Sequence, residues 1–352
     1  MKAAQIGMLF SCACVFIFIV KIHEPDHVST RPETNISNVE GRLSNMLKSI
    51  PWSSKKQSLI SSSRYIVPKL MEKSQKYLKT PLTTKMKCSQ KYRLLIMVTS
   101  QSNGFGRRSN IRSTWGSTWH QRTDLPSWKT IFQLGLPNDH KMQNSTLEEA
   151  TKYKDMIFGN LTDTFYTLSV KVIVGFEWAT KYCDFDFLLK TDDDVFVNIP
   201  NVFKFLSEPD IPRHRLYAGN VHFRSGPIRW RSKYRVTTLE YPYRQYPRFT
   251  SGGGMVLSRD VAAGMVNIHN NSNYFKLDDV YVGMLALRLG VDAHHDDWFQ
   301  VWQKAENCKC EERTIVRHGA HNRDCMDKLY KCFPNLYENY VGFVDKENHF
   351  HN

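Results

Sequence analysis

Short apolar runs alternate with stretches of helical periodicity along most of the chain after residue 93. The runs that are short and almost wholly apolar are predicted as buried strands: 93–100, 130–135, 185–191, 216–221 and 254–258. Apolar positions three and four residues apart predict the helices: 107–116, 148–156, 168–181 and 279–289. Strands that alternate with helices indicate an α/β domain with a mostly parallel central sheet. Ligands of such sheets bind at the carboxyl ends of the strands, so the chemistry is expected just after 185–191.

An apolar segment at the N-terminus predicts the compartment. Residues 3–20 are apolar except for Gln5 and Ser11, and Lys21 closes the run. As a helix this segment would span roughly 27 Å, enough for a thin bilayer. We therefore predict a single-pass transmembrane signal anchor with residues 1–2 on the cytoplasmic side. A cleaved signal peptide is the alternative, although residues 21–24 lack the small side chains of a cleavage site.

The positive charge of the chain is concentrated in one segment. The sequence has 48 Lys and Arg against 34 Asp and Glu, a formal net charge of +14. Thirteen of the basic residues but only one acidic residue, Glu72, lie between residues 42 and 93. Residues 21–90 are therefore predicted to be a basic stem, followed by one large domain over 91–352. Because aromatic residues do not alternate with the basic ones and no recognition motif accompanies them, we exclude nucleic acid as a partner.

Cysteines and glycosylation sequons agree with a secretory route. Six cysteines lie outside the apolar segment, and an even number in this context indicates disulfide bonds of open connectivity: Cys88, Cys183, Cys308, Cys310, Cys325 and Cys332. A zinc site built from the last four of them with His318 and His321 is the alternative. Four sequons predict glycosylated and therefore exposed asparagines: Asn35, Asn144, Asn160 and Asn270.

Three adjacent carboxylates follow the predicted strand 185–191. Asp192, Asp193 and Asp194 would repel one another at the end of an apolar strand unless they share a cation. A hard divalent ion such as Mn²⁺ or Mg²⁺ takes oxygen ligands from carboxylates together with substrate phosphates. The alternative is that Asp193 or Asp194 caps a helix over 198–206.

A second acidic pair and a glycine run complete the candidate chemistry. Asp278 and Asp279 directly precede the helix 279–289, and a carboxylate at this place can act as a general base or as a helix cap. The sequence SGGG at 251–254 lacks the lysine of a phosphate loop. Its glycines, Gly252 and Gly253 among them, would let the backbone approach a sugar, or would form a turn with close strand packing.

Four segments in this order resemble the β1,3-galactosyltransferase family, which includes β1,3-N-acetylglucosaminyltransferases and is related to Fringe. They are RRSNIRSTWG, FLLKTDDDVFVNIPNV, EYPYRQYPRFTSGGGMVLS and DDVYVGMLALRLGV, and the resemblance covers about residues 90–330. It implies a GT-A glycosyltransferase fold in the lumen of the Golgi or endoplasmic reticulum. It also implies a UDP-sugar donor, Mn²⁺ with Mg²⁺ as the alternative ion, and inversion at the anomeric carbon.

The resemblance also implies roles for single residues. Asp194 would bind the metal, Asp192 and Asp193 would shape the ribose and sugar side with Asp192 counted among the metal ligands, and Asp279 would be the catalytic base. His318 would be a ligand of the metal or the diphosphate, with an ordinary loop histidine as the alternative. Arg108 and Arg112 would bind nucleotide phosphates or else brace the first helix. Gly252 and Gly253 would line the nucleotide-sugar site.

The expected activity is transfer of a sugar, galactose before others, in β linkage to the 3-hydroxyl of a glycan on a glycoprotein or glycolipid. N-acetylglucosamine or N-acetylgalactosamine transfer is the alternative within the family. A non-catalytic luminal chaperone or sugar-binding relative is the alternative from another class. The expected location is the Golgi membrane in a type II orientation, with the catalytic domain in the lumen.

Overall fold

The computed structural model describes residues 86–117, 127–137, 139–269, 274–302 and 308–333. The predicted anchor over 3–20 and nearly all of the predicted stem over 21–90 therefore lie outside the described residues. Within the described ranges, no helix is both long enough and apolar enough to cross a membrane.

A seven-stranded sheet forms the centre of the domain. Its strands are β1 (Lys91–Thr99), β2 (Trp128–Leu136), β3 (Met156–Thr162), β4 (Asp184–Asp192), β6 (Tyr217–His222), β7 (Phe249–Ser258) and β8 (His294–His295), in the order β3-β2-β1-β4-β7-β6-β8. A smaller sheet has the order β5-β10-β9 and consists of β5 (Val195–Val197), β9 (Phe299–Gln300) and β10 (Val316–His318). In the large sheet β7 runs antiparallel to both of its neighbours, whereas the other neighbouring strands are parallel. The α/β prediction with a mostly parallel sheet is therefore confirmed, with β7 as the exception.

Helices cover both faces of the large sheet. They are α1 (Phe105–Arg112), α2 (His140–Tyr153), α3 (Leu168–Tyr182), α4 (Ile199–Leu206), α5 (Arg259–His269), α6 (Asp278–Arg288) and α7 (Arg323–Lys331). One core joins α3, α5 and α6 to the sheet face that carries Leu95 and Met97, and the other joins α1, α4 and α7 to the face that carries Leu94 and Ile96. Because side chains alternate along β1, a run that is apolar throughout supplies both cores.

Two predicted boundaries were wrong. The helix predicted over 148–156 is the end of α2, which stops at Lys154 in a left-handed conformation (φ 54°), and Met156 opens the unpredicted strand β3. The helix predicted over 107–116 ends at Arg112, and the chain leaves it through a turn in which the Gly116 amide donates to the Ile111 carbonyl.

The acidic triplet does not cap a helix. Asn198 is the N-cap of α4, and its Oδ1 accepts a hydrogen bond from the Asn201 amide at 3.3 Å. The capping alternative for Asp193 or Asp194 is therefore wrong, and their side chains are available for other partners.

Three disulfides pair all six cysteines outside the N-terminal segment: Cys88–Cys183, Cys308–Cys325 and Cys310–Cys332. This pairing overturns the zinc alternative, because a disulfide sulfur is no longer a thiolate ligand. Asn144 and Asn160 are exposed, as their sequons predict, whereas Asn35 and Asn270 lie outside the described residues.

Candidate active site

Asp194 lies in the turn between β4 and β5, and its carboxylate is completely buried. His318 Nε2 lies 3.6 Å from Oδ1, and His321 Nδ1 lies 3.3 Å from Oδ2. Neither Asp194 carboxylate oxygen accepts a hydrogen bond from a described residue, although both imidazoles are close. The backbone fixes this juxtaposition, since the Asp194 carbonyl accepts hydrogen bonds from Gly319 and Ala320 at 3.1 and 2.9 Å.

The charges at this point favour an ionised acid beside a neutral imidazole. Burial by itself would raise the pKa of Asp194, but His321, His318 and Arg107 together outweigh burial and leave this pKa below its usual range. Burial lowers the pKa of His318, so its neutral form, the form that binds metal ions, is favoured at neutral pH.

Asp193 has its own two hydrogen-bond donors. Arg107 Nη1 donates to Oδ1 at 2.8 Å, and Ser100 Oγ donates to Oδ2 at 2.6 Å. The same Arg107 atom lies 3.8 Å from Asp194 Oδ2. Arg107 therefore offsets part of the negative charge of the triplet from the first turn of α1.

A buried lysine connects the first acidic cluster to the second. Lys190 Nζ donates to Asp192 Oδ1 at 2.9 Å, to Asp278 Oδ2 at 3.3 Å and to the Gly252 carbonyl at 2.8 Å. Its side chain is about 1% exposed. Lys190 thus fastens the ends of β4 and α6 to the glycine run of β7. Burial raises the pKa of Asp192 to about 7, although Lys190 pulls it down.

Asp279 is the second residue of helix α6 and lies beside the Lys190 cluster. Its Oδ1 accepts a hydrogen bond from the Val280 amide at 2.7 Å, and the residue keeps a partly accessible edge. Dense surroundings and the neighbouring Asp278 carboxylate raise the pKa of Asp279 to about 7. A carboxylate that titrates near neutral pH and reaches solvent is suited to accept a proton from a substrate.

The glycine run lies between the two acidic centres. A Cβ added to Gly252 would lie 3.5 Å from Asp278 Oδ2 and 3.7 Å from Asp279 Cβ. One added to Gly253 would lie 3.6 Å from His318 Cδ2. Gly252 therefore lies next to Asp278 and Asp279, and the following residue, Gly253, lies next to His318. The two acidic clusters thus belong to one region of the molecule.

This closeness depends on an irregularity in strand pairing. Gly219 pairs with Met255 and Val221 pairs with Thr250, so Asn220 alone faces the four residues of the SGGG run. Strand β7 has three more residues than β6 between these two pairs, and this bulge brings its backbone next to the acids. The strand predicted over 254–258 begins five residues earlier than expected, at Phe249, because it includes this bulge.

The two arginines predicted to bind phosphates already have carboxylate partners. Arg108, which is wholly buried, pairs with Glu149 at 2.6 Å. Arg112 pairs with Glu149 at 2.6 Å and with Asp155 at 2.7 Å. These contacts favour the bracing alternative over phosphate binding, since they tie α1 to α2 and to the residue before β3.

Sequence reasoning missed three contributors to the region. Arg107, Lys190 and Ser100 each contact the acidic triplet or its partners. Lys190 carried a usable signal, because it is the one charged side chain within the apolar run 185–191 apart from Asp186 near its start. His321, which sequence reasoning set aside in favour of His318, is as close to Asp194 as His318 is.

The residues at Asp194 fit a divalent cation. Two buried carboxylate oxygens without hydrogen-bond donors, next to a neutral imidazole, form a donor set that Mn²⁺ accepts. In the described part of the chain, no three His, Cys, Asp or Glu side chains are grouped closely enough to hold an ion alone. The remaining ligands would therefore come from phosphate oxygens and water, as is usual for Mg²⁺-like ions.

Comparison with known proteins gives a consistent picture. A family profile described as Galactosyltransferase matches residues 106–297. A human protein named lactosylceramide 1,3-N-acetyl-beta-D-glucosaminyltransferase is 35% identical over 254 residues, which cover 69% of this chain and 67% of that protein. A Danio rerio protein of the same name, form B, is 36% identical over 68% of this chain and 65% of its own length. A solved galactosyltransferase, LgtC, with donor and acceptor sugar analogues, has 10% identity and a TM-score of 0.35 over 72% of this chain and 95% of its own.

Proposed function

The chain belongs to the galactosyltransferase family, and from this membership we propose that it transfers a sugar from a UDP-sugar to the 3-hydroxyl of an acceptor glycan with inversion. The resemblance in the four sequence motifs is thereby confirmed. The observation that carries the proposal is the convergence of Asp194, with its two imidazoles, and Asp279 on the same glycine run. The GT-A assignment of the fold is part of this proposal.

Two donors have support from different observations. Relatives at 32–36% identity carry the name of an N-acetylglucosaminyltransferase, which favours UDP-N-acetylglucosamine. The family profile is described by galactose, which keeps UDP-galactose as the second candidate. We place the N-acetylglucosamine donor first because relatives that match over about two thirds of their length are more specific than a family profile. The names of the relatives also favour a glycolipid acceptor that ends in a β-galactoside.

The residues of this chain divide the work between leaving group and nucleophile. Asp194 and His318 would hold the divalent cation to which the diphosphate of the donor binds, and the neighbouring Asp192 is paired with Lys190. Asp279 takes the proton from the acceptor 3-hydroxyl as that oxygen attacks the anomeric carbon from the face opposite UDP. The bond from the anomeric carbon to the diphosphate oxygen breaks with its electron pair moving to UDP. A single displacement of this kind gives inversion.

Mn²⁺ is the proposed cofactor, with Mg²⁺ as the alternative. When bound, it would neutralise negative charge that develops on the diphosphate. Asp194 would hold the ion with His318 or His321, and Asp192 joins this set only if it exchanges Lys190 for the ion. Lys190 donates a hydrogen bond to Asp192 and Arg107 donates one to Asp193, which positions these two carboxylates beside Asp194.

The first experiment measures transfer directly. The luminal domain is incubated with each UDP-sugar, Mn²⁺ and methyl β-lactoside, and the product linkage is determined by NMR. Asp279→Asn is expected to lower kcat by about 10²–10⁴-fold with UDP affinity nearly unchanged, because general-base assistance has that size. Full turnover in Asp279→Asn would reject the base assignment.

Calorimetry of UDP binding tests the metal assignment separately. Asp194→Ala is expected to abolish the difference in UDP affinity between buffers with and without Mn²⁺. Asp210→Ala is the matched control, since this exposed aspartate lies in the loop after α4. Equal Mn²⁺ dependence in Asp194→Ala and the control would remove Asp194 from the metal site.

If the wild type binds UDP but transfers no sugar from any donor, the non-catalytic alternative is favoured.

The proposed location is the Golgi lumen, with the N-terminal segment as a type II membrane anchor. Glycosylation can occur only on the luminal side, and Asn144 and Asn160 are exposed acceptors in the folded domain. Expression in animal cells followed by glycosidase digestion is expected to lower the apparent mass in wild type, and to lower it less after Asn144→Gln and Asn160→Gln. A chain that carries no glycan would contradict this topology.

A further inference from the structure

A tryptophan with an exposed indole lies beside the glycine run. Trp302 is 44% exposed although it is among the largest apolar side chains of the domain. Its Nε1 donates a hydrogen bond to Asn220 Oδ1 at 3.0 Å. Its ring also meets the His222 ring edge to face, with centroids 4.9 Å apart. The indole is therefore held in one orientation while part of it remains open to solvent.

The residues that hold the indole are themselves fixed. His222 stacks on Phe249 with ring centroids 4.5 Å apart and nearly parallel planes. Its two ring nitrogens lie 2.7 Å from Ser251 Oγ and 3.1 Å from Ser225 Oγ. Burial lowers the pKa of His222 to about 4, so this imidazole is neutral at neutral pH. A rigid support of this kind spends little conformational entropy when a ligand binds to the ring.

Residues that contact Trp302 or precede it in sequence connect the indole to the glycine run. Asn220, its hydrogen-bond partner, is the residue that faces the SGGG bulge. Val301, which precedes Trp302, lies 3.4 Å from the position of a Cβ on Gly253. Ser251, which contacts His222, precedes Gly252, next to Asp278 and Asp279. Trp302 thus belongs to the surroundings of the bulge.

The chemistry of this surface matches a sugar ring better than a hydrocarbon. A pyranose has one face of C–H groups, which pack on an aromatic ring, and a rim of hydroxyl groups, which need hydrogen-bond partners. The Asn220 amide contacts the indole and is a polar group of this kind, and the His222 imidazole lies against the same ring. A lipid chain on the same ring would meet these polar groups without satisfying them.

We propose that Trp302, oriented by Asn220 and His222, is the stacking platform for the sugar ring of the acceptor. This assignment rests on the proposed function, because it takes Asp279 as the group that meets the acceptor hydroxyl. Through His222 and Ser251 the indole adjoins Gly252, the glycine beside Asp278 and Asp279, so we assign it to the acceptor and not to the nucleotide. Trp302 is therefore a residue that determines acceptor affinity and takes no part in proton transfer.

The test compares acceptor and donor kinetics in matched tryptophan variants. Trp302→Ala is expected to raise the KM for methyl β-lactoside about tenfold, the loss of roughly one good stacking contact. The donor KM and the acceptor-independent hydrolysis of the UDP-sugar are expected to stay at wild-type values. Trp302→Phe, which keeps an aromatic face, is expected to recover part of the lost affinity. Trp230→Ala is the control, since Trp230 is even more exposed at 68%.

Two results would overturn the assignment. One is an unchanged acceptor KM in Trp302→Ala, and the other is an equal rise in the donor and acceptor KM values. Asn220→Ala gives a second route, because it frees the indole without removing it and is expected to raise the acceptor KM by a smaller factor.

A binding measurement separates failure of this inference from failure of the proposed function. If the wild type transfers nothing, saturation-transfer NMR with methyl β-lactoside still reports whether the sugar binds. Loss of the signal in Trp302→Ala but not in Trp230→Ala would support the platform in a protein without transferase activity. An equal signal in wild type and Trp302→Ala would reject it.

Discussion

At the scale of single residues, Asp279 combines two properties that proton transfer requires. Its carboxylate keeps an accessible edge, and crowding together with Asp278 raises its pKa to about 7. The Asp194 carboxylate is displaced in the other direction, to a pKa below its usual range. Two acids whose pKa values are driven apart by their surroundings can take different parts in one reaction.

The titration of Asp279 predicts a pH profile. The base must be ionised to accept a proton, and its pKa is raised, so kcat/KM is expected to fall as pH drops below about 7 and to level off above it. Initial rates at saturating Mn²⁺ from about pH 5 to about pH 9 give this profile. UDP affinity over the same range is the control, and a rate that stays constant down to about pH 5 would contradict the assignment.

Sequence alone could predict the acids but not their partners. Asp192, Asp194 and Asp279 were recognisable because carboxylates at the ends of apolar segments need a reason to be there. Lys190 joins Asp192 to Asp278 across 88 positions of sequence, and no local pattern indicates such a distance. The choice between His318 and His321 likewise depends on a turn in the backbone, since both approach the same carboxylate.

At the scale of elements, the glycine bulge of β7 is the feature that brings segments together. Gly254 lies where β7 passes under β10, and a Cβ there would be 2.6 Å from Val316 Cγ2. Val316 belongs to a buried strand with no room to retreat, since it is itself fully buried. The glycine is therefore required by packing between the two sheets.

A methyl group at Gly254 tests this packing. Gly254→Ala is expected to destabilise the domain by about 1–3 kcal/mol, the usual cost of overpacking a core. Gly106→Ala is the control, because no described atom lies within 4 Å of its Cβ position and the residue is inside helix α1. That variant is expected to be neutral or more stable by about 0.5–1 kcal/mol. Urea unfolding monitored by circular dichroism gives both values, and equal stability of the two variants would contradict the packing argument.

The salt-bridged pair of α1 and α2 is a second feature at this scale. Glu149 receives both Arg108 and Arg112, and all three side chains are largely or wholly buried. Removal of the shared acid would leave two guanidinium groups with part of their partners missing.

Glu149→Ala separates bracing from phosphate binding. It is expected to cost about 3–5 kcal/mol of stability, the range seen when one partner of a buried ion pair is removed. UDP affinity in the fraction that stays folded is expected to match the wild type. Glu148→Ala, one residue earlier and exposed, is the control and is expected to change stability by less than about 0.5 kcal/mol. A fall in UDP affinity without a fall in stability would instead support phosphate binding by Arg108 and Arg112.

The elements most accurately predicted were those with an unambiguous period. Helix α3 was expected over 168–181 and is Leu168–Tyr182, because its apolar positions repeat along more than three turns. Strand β3 was missed because MIFGNLT follows α2 after two residues and contains glycine and asparagine, which weaken a strand pattern. The position where α2 ends depends on one left-handed residue, Lys154, which sequence seldom reveals.

At the scale of the whole molecule, the sheet order could not be deduced from the alternation of strands and helices. That alternation correctly indicated that β1 is parallel to β2 and to β4, whereas β3, which also pairs in parallel, was not predicted. Strand β7 pairs with β4 in the antiparallel direction, and a long segment separates the two strands in sequence. The partners of β7 are set by the burial of residues that are far apart in sequence. Composition and period carry no information on such long-range pairing.

The disulfide Cys88–Cys183 closes the largest covalent loop of the domain, with a sequence separation of 95. Replacement of both cysteines by serine is expected to destabilise the domain by about 2–5 kcal/mol, mainly because the unfolded chain regains freedom. Thermal unfolding with and without a reducing agent measures the effect. The double variant is expected to be insensitive to the reducing agent at this bond, and a wild type with the same Tm in both buffers would contradict a stabilising role.

The Cys88–Cys183 disulfide also determines where a force applied to the N-terminal side of the domain would act first. Cys88 also donates a backbone hydrogen bond to the Tyr182 carbonyl at 3.1 Å, and Lys91 begins β1, which lies beside the central strand β4. A pull on the N-terminal segment is carried across the sulfurs to Cys183, at the end of α3, before it reaches β1. The disulfide thereby shields β1 from a force applied on its N-terminal side, and the order of the central strands is preserved.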